Sequence, residues 1–490
     1  MKIYSFEPFG YHGQLVEVEC DLRRGIPSTD IVGLSDGIVR ETTERIRSVF
    51  KNQNIAFPSE RVLVSASPCD LYKGGSNMSL PLALSIAIES EKIEGDEKFL
   101  AVGDLELSGN IIQTDSLISA FLSSCINPAD YIFIVSPKYK EYFEKKNVSF
   151  ILAYSLSDTL EKIRTRQWQK GKETKEEEKV FSDETMNTTY TLSKKVVKAV
   201  LLSASSRLNT FFFGSYGKPT SIISDLITDL TPLPRGEEKT QSEKIYSCAN
   251  YFSHTDRPNV RIPHQTASIE GICGGGKDIR PGEVALAHGG SLILEQTAEF
   301  RSSVLSMLRV PVNHHSITLS RAGRSTVYPT DFNFYCFSPL CPCGNFGSKE
   351  KVCLCSERSI DNYQLKLSSQ IRDSHLIINR EEEDETETYE ISDLRQKAEK
   401  ILSFQKGRKL NGRMETAEIK GGYLSEDFDE KLVSDLYATE REEKYLYQTL
   451  LSIANLNGRE KIENSDVEEY KEIRKGTEEF LCVDKKAIAC

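Results

Sequence analysis

The chain has no apolar run approaching the roughly 20 residues that a membrane-spanning helix needs. Its N-terminus, MKIYSFEPFGYHGQLVEVECDL, also lacks the uninterrupted apolar core of a secretory signal. Both absences set the expectation of a soluble, cytoplasmic protein with no membrane partner. Positive charge is in short supply too: 62 Lys and Arg against 73 Asp and Glu leave a net charge of -11. That balance excludes a globally basic nucleic-acid binder, because non-specific affinity comes from cations neutralising phosphates, but it leaves room for a local basic groove. Cysteine is sparse for a disulfide scaffold, 12 in 490 residues, and without a leader the thiols are expected to be reduced. No tandem repeat is visible.

What is present is globular. With 39% apolar and 28% charged residues, a chain of this length is expected to form two to four domains with substantial cores. Residues 1–165 alternate short β-like runs (LVEVEC, RVLVSAS, YIFIVSP) with helical patterns, as in an α+β unit. In SDGIVRETTERIRSVFKN, Ser35 and Asp36 offer N-cap oxygens and Ile38, Thr42, Ile46 and Val49 recur at helical spacing. Residues 166–193 mix charges without apolar periodicity and read as a solvated linker. Residues 194–380 form a second α/β region in which FFFG, SLILE and FNFYCF are candidate buried strands. The acidic run REEEDETETYE at 380–390 is expected in a loop or at a helix start, and residues 391–490, DEKLVSDLY included, are expected to be a small helical domain.

One stretch, FFFGSYGKPTS, has the look of a strand handing over to a helix around a phosphate. A P-loop is written G-x-x-x-x-G-K-[ST], so that backbone N–H groups curl around the phosphates, lysine reaches them and a hydroxyl ligates Mg²⁺. Counted from Gly214, the second glycine falls on Pro219, the lysine on Thr220 and the hydroxyl on Ser221. Proline offers no N–H and fixes its φ. Lys218, after Gly217, stands two places early. Two readings stay open: a rebuilt nucleotide loop using Gly214, Gly217, Lys218, Thr220 and Ser221, or an ordinary strand–turn–helix connection.

Several longer motifs occur in order: VGLSDGIVRETTERIRSVFKN, RVLVSASPCDLYKGGSNMSLPLALSIAI, RIPHQTASIEGICGGG, RPGEVALAHGGSLILEQTAEF, VLSMLRVP and CPCG. Over nearly its whole length the chain thereby resembles the magnesium-chelatase-like AAA+ family, the ComM/YifB-like competence proteins. The resemblance implies an α/β multidomain fold: an N-terminal domain like the proteolytic domain of Lon (ribosomal S5 domain 2-like), a P-loop-type AAA+ core and a C-terminal helical lid. It implies no protease chemistry, because Asn77 stands where Lon-type enzymes carry their serine, with Ser76 and Ser79 as turn and cap hydroxyls.

The same resemblance marks departures at the nucleotide site. A Walker B strand ends in Asp-Glu, which hold Mg²⁺ and orient the attacking water. LILEQ offers Glu295, which keeps the charge, and Gln296, which cannot take a proton as a carboxylate does. Pro339 replaces the polar sensor before CPCG, and Ser374 replaces the expected arginine finger, with Arg372 off register. Arg441 in TER matches the family's sensor-2 arginine, which would touch nucleotide, although a solvated helix arginine is the plain alternative. His264 matches the first histidine of the family's PHHT and Gln265 replaces the second; His264 is expected to shape a loop or face DNA, and His314 with His315 to lie on a hairpin surface.

Cys341, Cys343, Cys353 and Cys355 read C-P-C-G-x8-C-L-C. Two close pairs across a glycine-containing loop bring four thiolates around a tetrahedral metal, and soft ligands select Zn²⁺. The alternative is four incidental thiols. A closed four-ligand site is structural, with no open position for catalysis.

Function is expected accordingly. The resemblance implies a homo-oligomeric ring, hexameric in the family's ATP-driven motors, with single-stranded or branched DNA as partner. ATP/Mg²⁺ turnover is expected to be weak or lost, in the manner of a pseudo-ATPase. The alternative is a non-enzymatic AAA+ scaffold or regulatory ring subunit; metal insertion into a tetrapyrrole needs partner subunits. A motor would line its pore with basic residues such as Arg321, Arg324 and Lys349 to Lys351.

Overall fold

The computed structural model describes residues 1–68, 73, 77–173, 179–183, 188–215, 220–251, 257–321, 323–348, 351–380, 386–475 and 477. They divide into two compact units, one of residues 1–177 with 243–253 and 278–280, the other of residues 178–242, 254–277 and 281–490. No helix among the described residues is long and apolar enough to cross a membrane.

In the first unit, alternating strands such as Arg61–Ser67 and continuously buried ones such as Ile132–Val135 build an eight-stranded mixed sheet. Its centre is the antiparallel hairpin Lys2–Phe9 and His12–Arg23. On one side follow Arg61–Ser67, antiparallel, and Thr29–Val32, parallel. On the other lie Lys98–Leu100, Ile132–Val135 and Ser149–Leu152, all parallel, with Gln169–Lys170 antiparallel at the edge. The helix Asp36–Asn52 buries Thr42, Ile46, Val49 and Phe50 as its spacing predicts, and Ser35 takes the N-cap position without a side-chain bond. The helix Ser79–Ser90 is buried continuously from Ser79 to Ile88, which its uncharged sequence permits. Asn77 is buried beside it; Thr114 Oγ1 donates to Asn77 Oδ1 at 2.7 Å and Ser5 Oγ to the Asn77 carbonyl at 3.0 Å. An amide tied down in this way braces the turn. Ser76 lies outside the described residues.

The second unit is built on a parallel sheet of five strands: β1 (Thr210–Phe213), β2 (Val260–Arg261), β3 (Ser291–Leu294), β4 (Asn333–Ser338) and β5 (Leu376–Asn379). Their spatial order is β2-β3-β4-β1-β5, and every pairing is parallel. β1, β3 and β4 are buried at every residue, hence their largely apolar sequence, with polar residues only at the strand ends. Phe212 of β1 stacks on Phe337 of β4 with ring centroids 4.9 Å apart. The helix Lys194–Ser206 packs against this sheet and ends at Arg207 in a left-handed conformation. Helices Ile391–Phe404, Thr416–Gly422, Glu440–Leu456 and Asn464–Arg474 follow, and their apolar faces belong to the same core as the sheet: Leu394, Leu446 and Leu450 share one cluster with Phe212 and Leu376. A mixed α/β protein with a parallel sheet and many helices fits an AAA+-like fold.

Local departures from the sequence reading have local causes. The acidic run ends at a helix start, Glu390 being the N-cap of Ile391–Phe404, but Thr386–Glu390 is also a strand: its Thr-x-Thr-Tyr alternation pairs antiparallel with Thr189–Ser193, and Thr191 and Thr388 share a 3.0 Å hydroxyl contact, while 381–385 lie outside the described residues. DEKLVSDLY forms only the 3₁₀ turn Glu430–Leu432, because Asp429 accepts the Lys431 N–H and holds the backbone in a turn. Within 166–193, Gln169–Lys170 and Thr189–Ser193 are strands and Phe181 is buried.

Candidate functional site

Ligands of open parallel sheets gather outside the carboxyl ends of the strands, where the strand order reverses. Here the chain leaves β1 for the far edge, returns through β3 to β4 beside β1, and then crosses to β5 on its other flank. The register aligns Phe213 with Ser338 and Asn379, so the ends of β1, β4 and β5 are level. Gly214 follows β1 at φ 153°, a value that favours glycine, and Ser215 is buried. Gly217, Lys218 and Pro219 lie outside the described residues. The chain resumes at Thr220, first residue of the helix Thr220–Leu230.

Three side chains converge on this edge. Arg380, immediately after β5, donates from Nη1 to Thr220 Oγ1 at 2.7 Å and from Nη2 to the Gly214 carbonyl at 3.3 Å. Its backbone N–H donates to the Phe213 carbonyl at 2.8 Å, and its guanidinium lies 5.9 Å over the Phe337 ring. Glu295, immediately after β3, accepts from Ser224 Oγ at 2.8 Å, one helical turn beyond Thr220. Asp225 on the same helix has its carboxyl raised above the usual range by burial and by the carboxylates of Asp229 and Glu295. Gln296 takes a left-handed conformation, φ 52°, and is exposed, as is Ser221. The structure therefore brings Gly214, Thr220 and Glu295 to one edge. Sequence reasoning missed Arg380 and Ser224, neither of which belongs to a recognisable motif.

Arg441 stands elsewhere. It forms an ion pair with Asp373, which precedes β5 by three residues and so marks the amino end of the sheet. Burial raises Asp373, an effect the Arg441 charge opposes. The same end holds a buried polar network that the sequence did not announce. Asp331 accepts from Arg413, with Nε at 2.8 Å and Nη2 at 2.7 Å, and its backbone carbonyl accepts from Arg207 Nη1 at 2.7 Å. Burial alone would raise its carboxyl, but Arg413 and Arg207 hold it well below the usual range. Burial lowers His288 and His315 to about 4 and His375 to about 3. His375 accepts the Asn209 N–H at Nδ1, 3.1 Å away, and its Nε2 lies 2.8 Å from Gln448 Oε1. His315 is thus half-buried beside Asp331 and closes a helix, whereas His314 is exposed; the hairpin begins only at Ser316.

The remaining candidates lie on the periphery. His264 is exposed and its Nδ1 bonds Thr266 Oγ1 at 2.8 Å, shaping its loop. Ser338 Oγ donates to the Pro339 carbonyl, and Ser374 Oγ to the Gln370 carbonyl. Arg372 bonds Ser368 of its own helix. Arg321 and Arg324 face each other at the tip of the hairpin Ser316–Arg321 and Arg324–Pro329. Lys351 is exposed, and Lys349 lies outside the described residues.

The four cysteines converge between β4 and the helix Glu357–Arg372, with all four sulfurs within 4.8 Å of one another. Cys341 Sγ is 3.4 Å from Cys343 Sγ and 3.7 Å from Cys353 Sγ, and Cys343 to Cys353 is 3.6 Å. Tetrahedral Zn–S bonds of about 2.3 Å imply S···S edges of about 3.8 Å, so the donor set fits a zinc ion. Gly344, at φ 77°, makes the turn that brings its N–H to the Cys341 carbonyl, and the Phe346 N–H donates to Cys341 Sγ at 3.2 Å. Burial raises Cys341 to about 12. At Cys343 the upward push of burial is outweighed by the N–H of Asn345 and the Cys341 thiol, which lower it to about 6. The cluster could hold a metal such as zinc and, when loaded, would fasten the end of β4 to the following helix.

A parallel sheet with a loop at its switch point and a four-cysteine staple defines an α/β protein of AAA+-like fold. Residues 191–387 match the family described as "Magnesium chelatase, subunit ChlI", and residues 18–138 the family "Subunit ChlI of Mg-chelatase". The chain is 26% identical to the competence protein ComM of Haemophilus influenzae over 94% of each chain. It is 25% identical to the uncharacterized protein YifB of Escherichia coli, over 72% of this chain and 70% of that one. It is also 25% identical to an uncharacterized protein of Mycobacterium tuberculosis, over 76% of this chain and 75% of that one. These matches support a magnesium-chelatase-like family for the chain, similar to ComM and YifB over most of its length.

Proposed function

We propose that this protein is a magnesium-chelatase-like AAA+ protein related to DNA-processing motors, binding ATP at the carboxyl edge of its parallel sheet while turning it over weakly or not at all. The observation that carries the reading is the pairing of Ser224 Oγ with Glu295 Oε1 at 2.8 Å beside an exposed Gln296. A carboxylate stands where Mg²⁺ would be held, and an amide stands where a water would be oriented. An amide does not accept a proton from water, a loss that typically costs 10²–10⁴-fold in rate. Thr220, in place of the phosphate lysine, brings no charge of its own.

The DNA side of the reading draws on the family, in which one relative carries the name competence protein. The partners would be further copies of this chain in a ring and single-stranded or branched DNA, with Zn²⁺ held by Cys341, Cys343, Cys353 and Cys355 as a structural ion. The test is ATP binding and hydrolysis by the purified chain with Mg²⁺, with and without single-stranded and branched DNA. Binding with turnover at or near background is the expected result. DNA-stimulated turnover at an ordinary motor rate would sink the pseudo-ATPase part, and a ring indifferent to ATP would make the chain a scaffold.

A further inference from the structure

We infer that Arg380 supplies the cation that the nucleotide loop has lost at Thr220, and that it binds the polyphosphate of a nucleoside di- or triphosphate. The inference rests on the nucleotide-binding reading above and names a residue for it. Its first support is position. Thr220 is the residue that falls where a P-loop carries lysine, and the Thr220 hydroxyl is 2.7 Å from Arg380 Nη1. The guanidinium occupies the neighbourhood a lysine head would have filled, but it arrives from β5 across the sheet instead of from the helix.

The second support is rigidity. The backbone N–H of Arg380 holds the Phe213 carbonyl at 2.8 Å, Nη2 holds the Gly214 carbonyl at 3.3 Å, and the Phe337 ring lies beneath the guanidinium. A cation fixed in advance loses little entropy when an anion arrives. The third support is chemistry: the planar guanidinium fork matches two phosphate oxygens, and its charge survives at any physiological pH.

The fourth support is layout. Arg380 ends the strand on one flank of β1, and Glu295 ends β3, two strands away on the other flank. The guanidinium bonds Thr220 and the carboxylate bonds Ser224, so cation and carboxylate hold residues one helical turn, about 6 Å, apart. A polyphosphate at the start of that helix would meet the arginine at Thr220 and, one turn on, the carboxylate that would hold Mg²⁺.

The experiment measures binding of ATP, ADP, AMP and inorganic pyrophosphate to the full chain and to Arg380→Gln, Arg380→Met and Arg380→Lys, with circular dichroism to follow folding. Arg380→Met keeps the aliphatic stem over Phe337, so a fold that tolerates only one of the two neutral variants still gives an answer. The neutral variants are expected to weaken ATP about 10- to 100-fold, the range of a charge-assisted phosphate contact, and AMP far less, with Arg380→Lys in between. Neutral variants that bind ATP like the wild type, or lose ATP and AMP equally, would overturn the inference and leave Arg380 a brace for the loop. A wild-type chain that binds pyrophosphate through Arg380 but no nucleotide would sink the nucleotide reading and keep the anion site. Binding of neither would overturn both.

Discussion

Arg413 closes on Asp331 through both Nε and Nη2, 2.8 and 2.7 Å from Oδ1, and joins the helical C-terminal region to the residue just ahead of β4. Arg207 reaches the same aspartate from the end of the helix before β1. Removing Arg413 leaves Asp331, whose side chain is part-exposed, held by Arg207 as its remaining arginine.

Arg413→Ala is therefore expected to lower stability by about 1–3 kcal/mol, measured by urea denaturation. A loss below about 1 kcal/mol would mean that water replaces the guanidinium, as in an exposed ion pair.

Acid is expected to weaken the fold before most carboxylates titrate. His288 and His375 are buried, with folded values of about 4 and about 3, whereas an unfolded histidine protonates near 6.5. Between those values the unfolded chain binds protons that the folded chain refuses, so stability falls as pH drops from about 6.5 towards 4. The slope from these two is at most about 1.4 kcal/mol per pH unit each; His315 adds in the same direction. Asp331, depressed in the folded state, adds a further loss below about pH 4. The measurement is urea midpoint against pH, and His375→Gln should flatten the upper limb.

Metal analysis is expected to return about one zinc per chain, lost in Cys341→Ser and Cys353→Ser. A staple worth a few kcal/mol would shift Tm by about 2–4 °C per kcal/mol in a domain of 150–250 residues, so a strong chelator should lower Tm by several degrees. A chain that purifies with no metal and is indifferent to the chelator would leave four incidental thiols.

Gln296→Glu restores a carboxylate beside Glu295 on an exposed turn, where the substitution meets no packing. ATP turnover, measured by phosphate release, is expected to rise by about 10-fold or more. Unchanged turnover would mean that a group other than the Gln296 amide limits the reaction.

The sequence made the ends of the site visible and hid its middle. β1, β3 and β4 were legible because buried parallel strands read as largely apolar runs, and the cysteines because ligand spacing is local. Arg380 was hidden because it opens an acidic run and looks like a solvated charge. Its place depends on β5 pairing with β1, whose loop lies 166 residues earlier. Asp331 and Arg413, 82 residues apart, were hidden for the same reason: no periodicity encodes a contact between elements. His315 looked exposed because its neighbour His314 is; a left-handed residue at the helix end turns the two rings in different directions.

The strand order of the second unit has a consequence for synthesis. β1 cannot acquire its neighbours until β4 has been made, and the Thr220–Arg380 contact spans 160 residues. Contacts this distant close late, after the loop entropy between them has been overcome. On the ribosome the helices Lys194–Ser206 and Thr220–Leu230 can pack on β1 first, whereas Arg380 reaches Thr220 and Gly214 only once residue 380 has been made. The edge where β1, β4 and β5 end level is therefore among the last parts of the sheet to be completed.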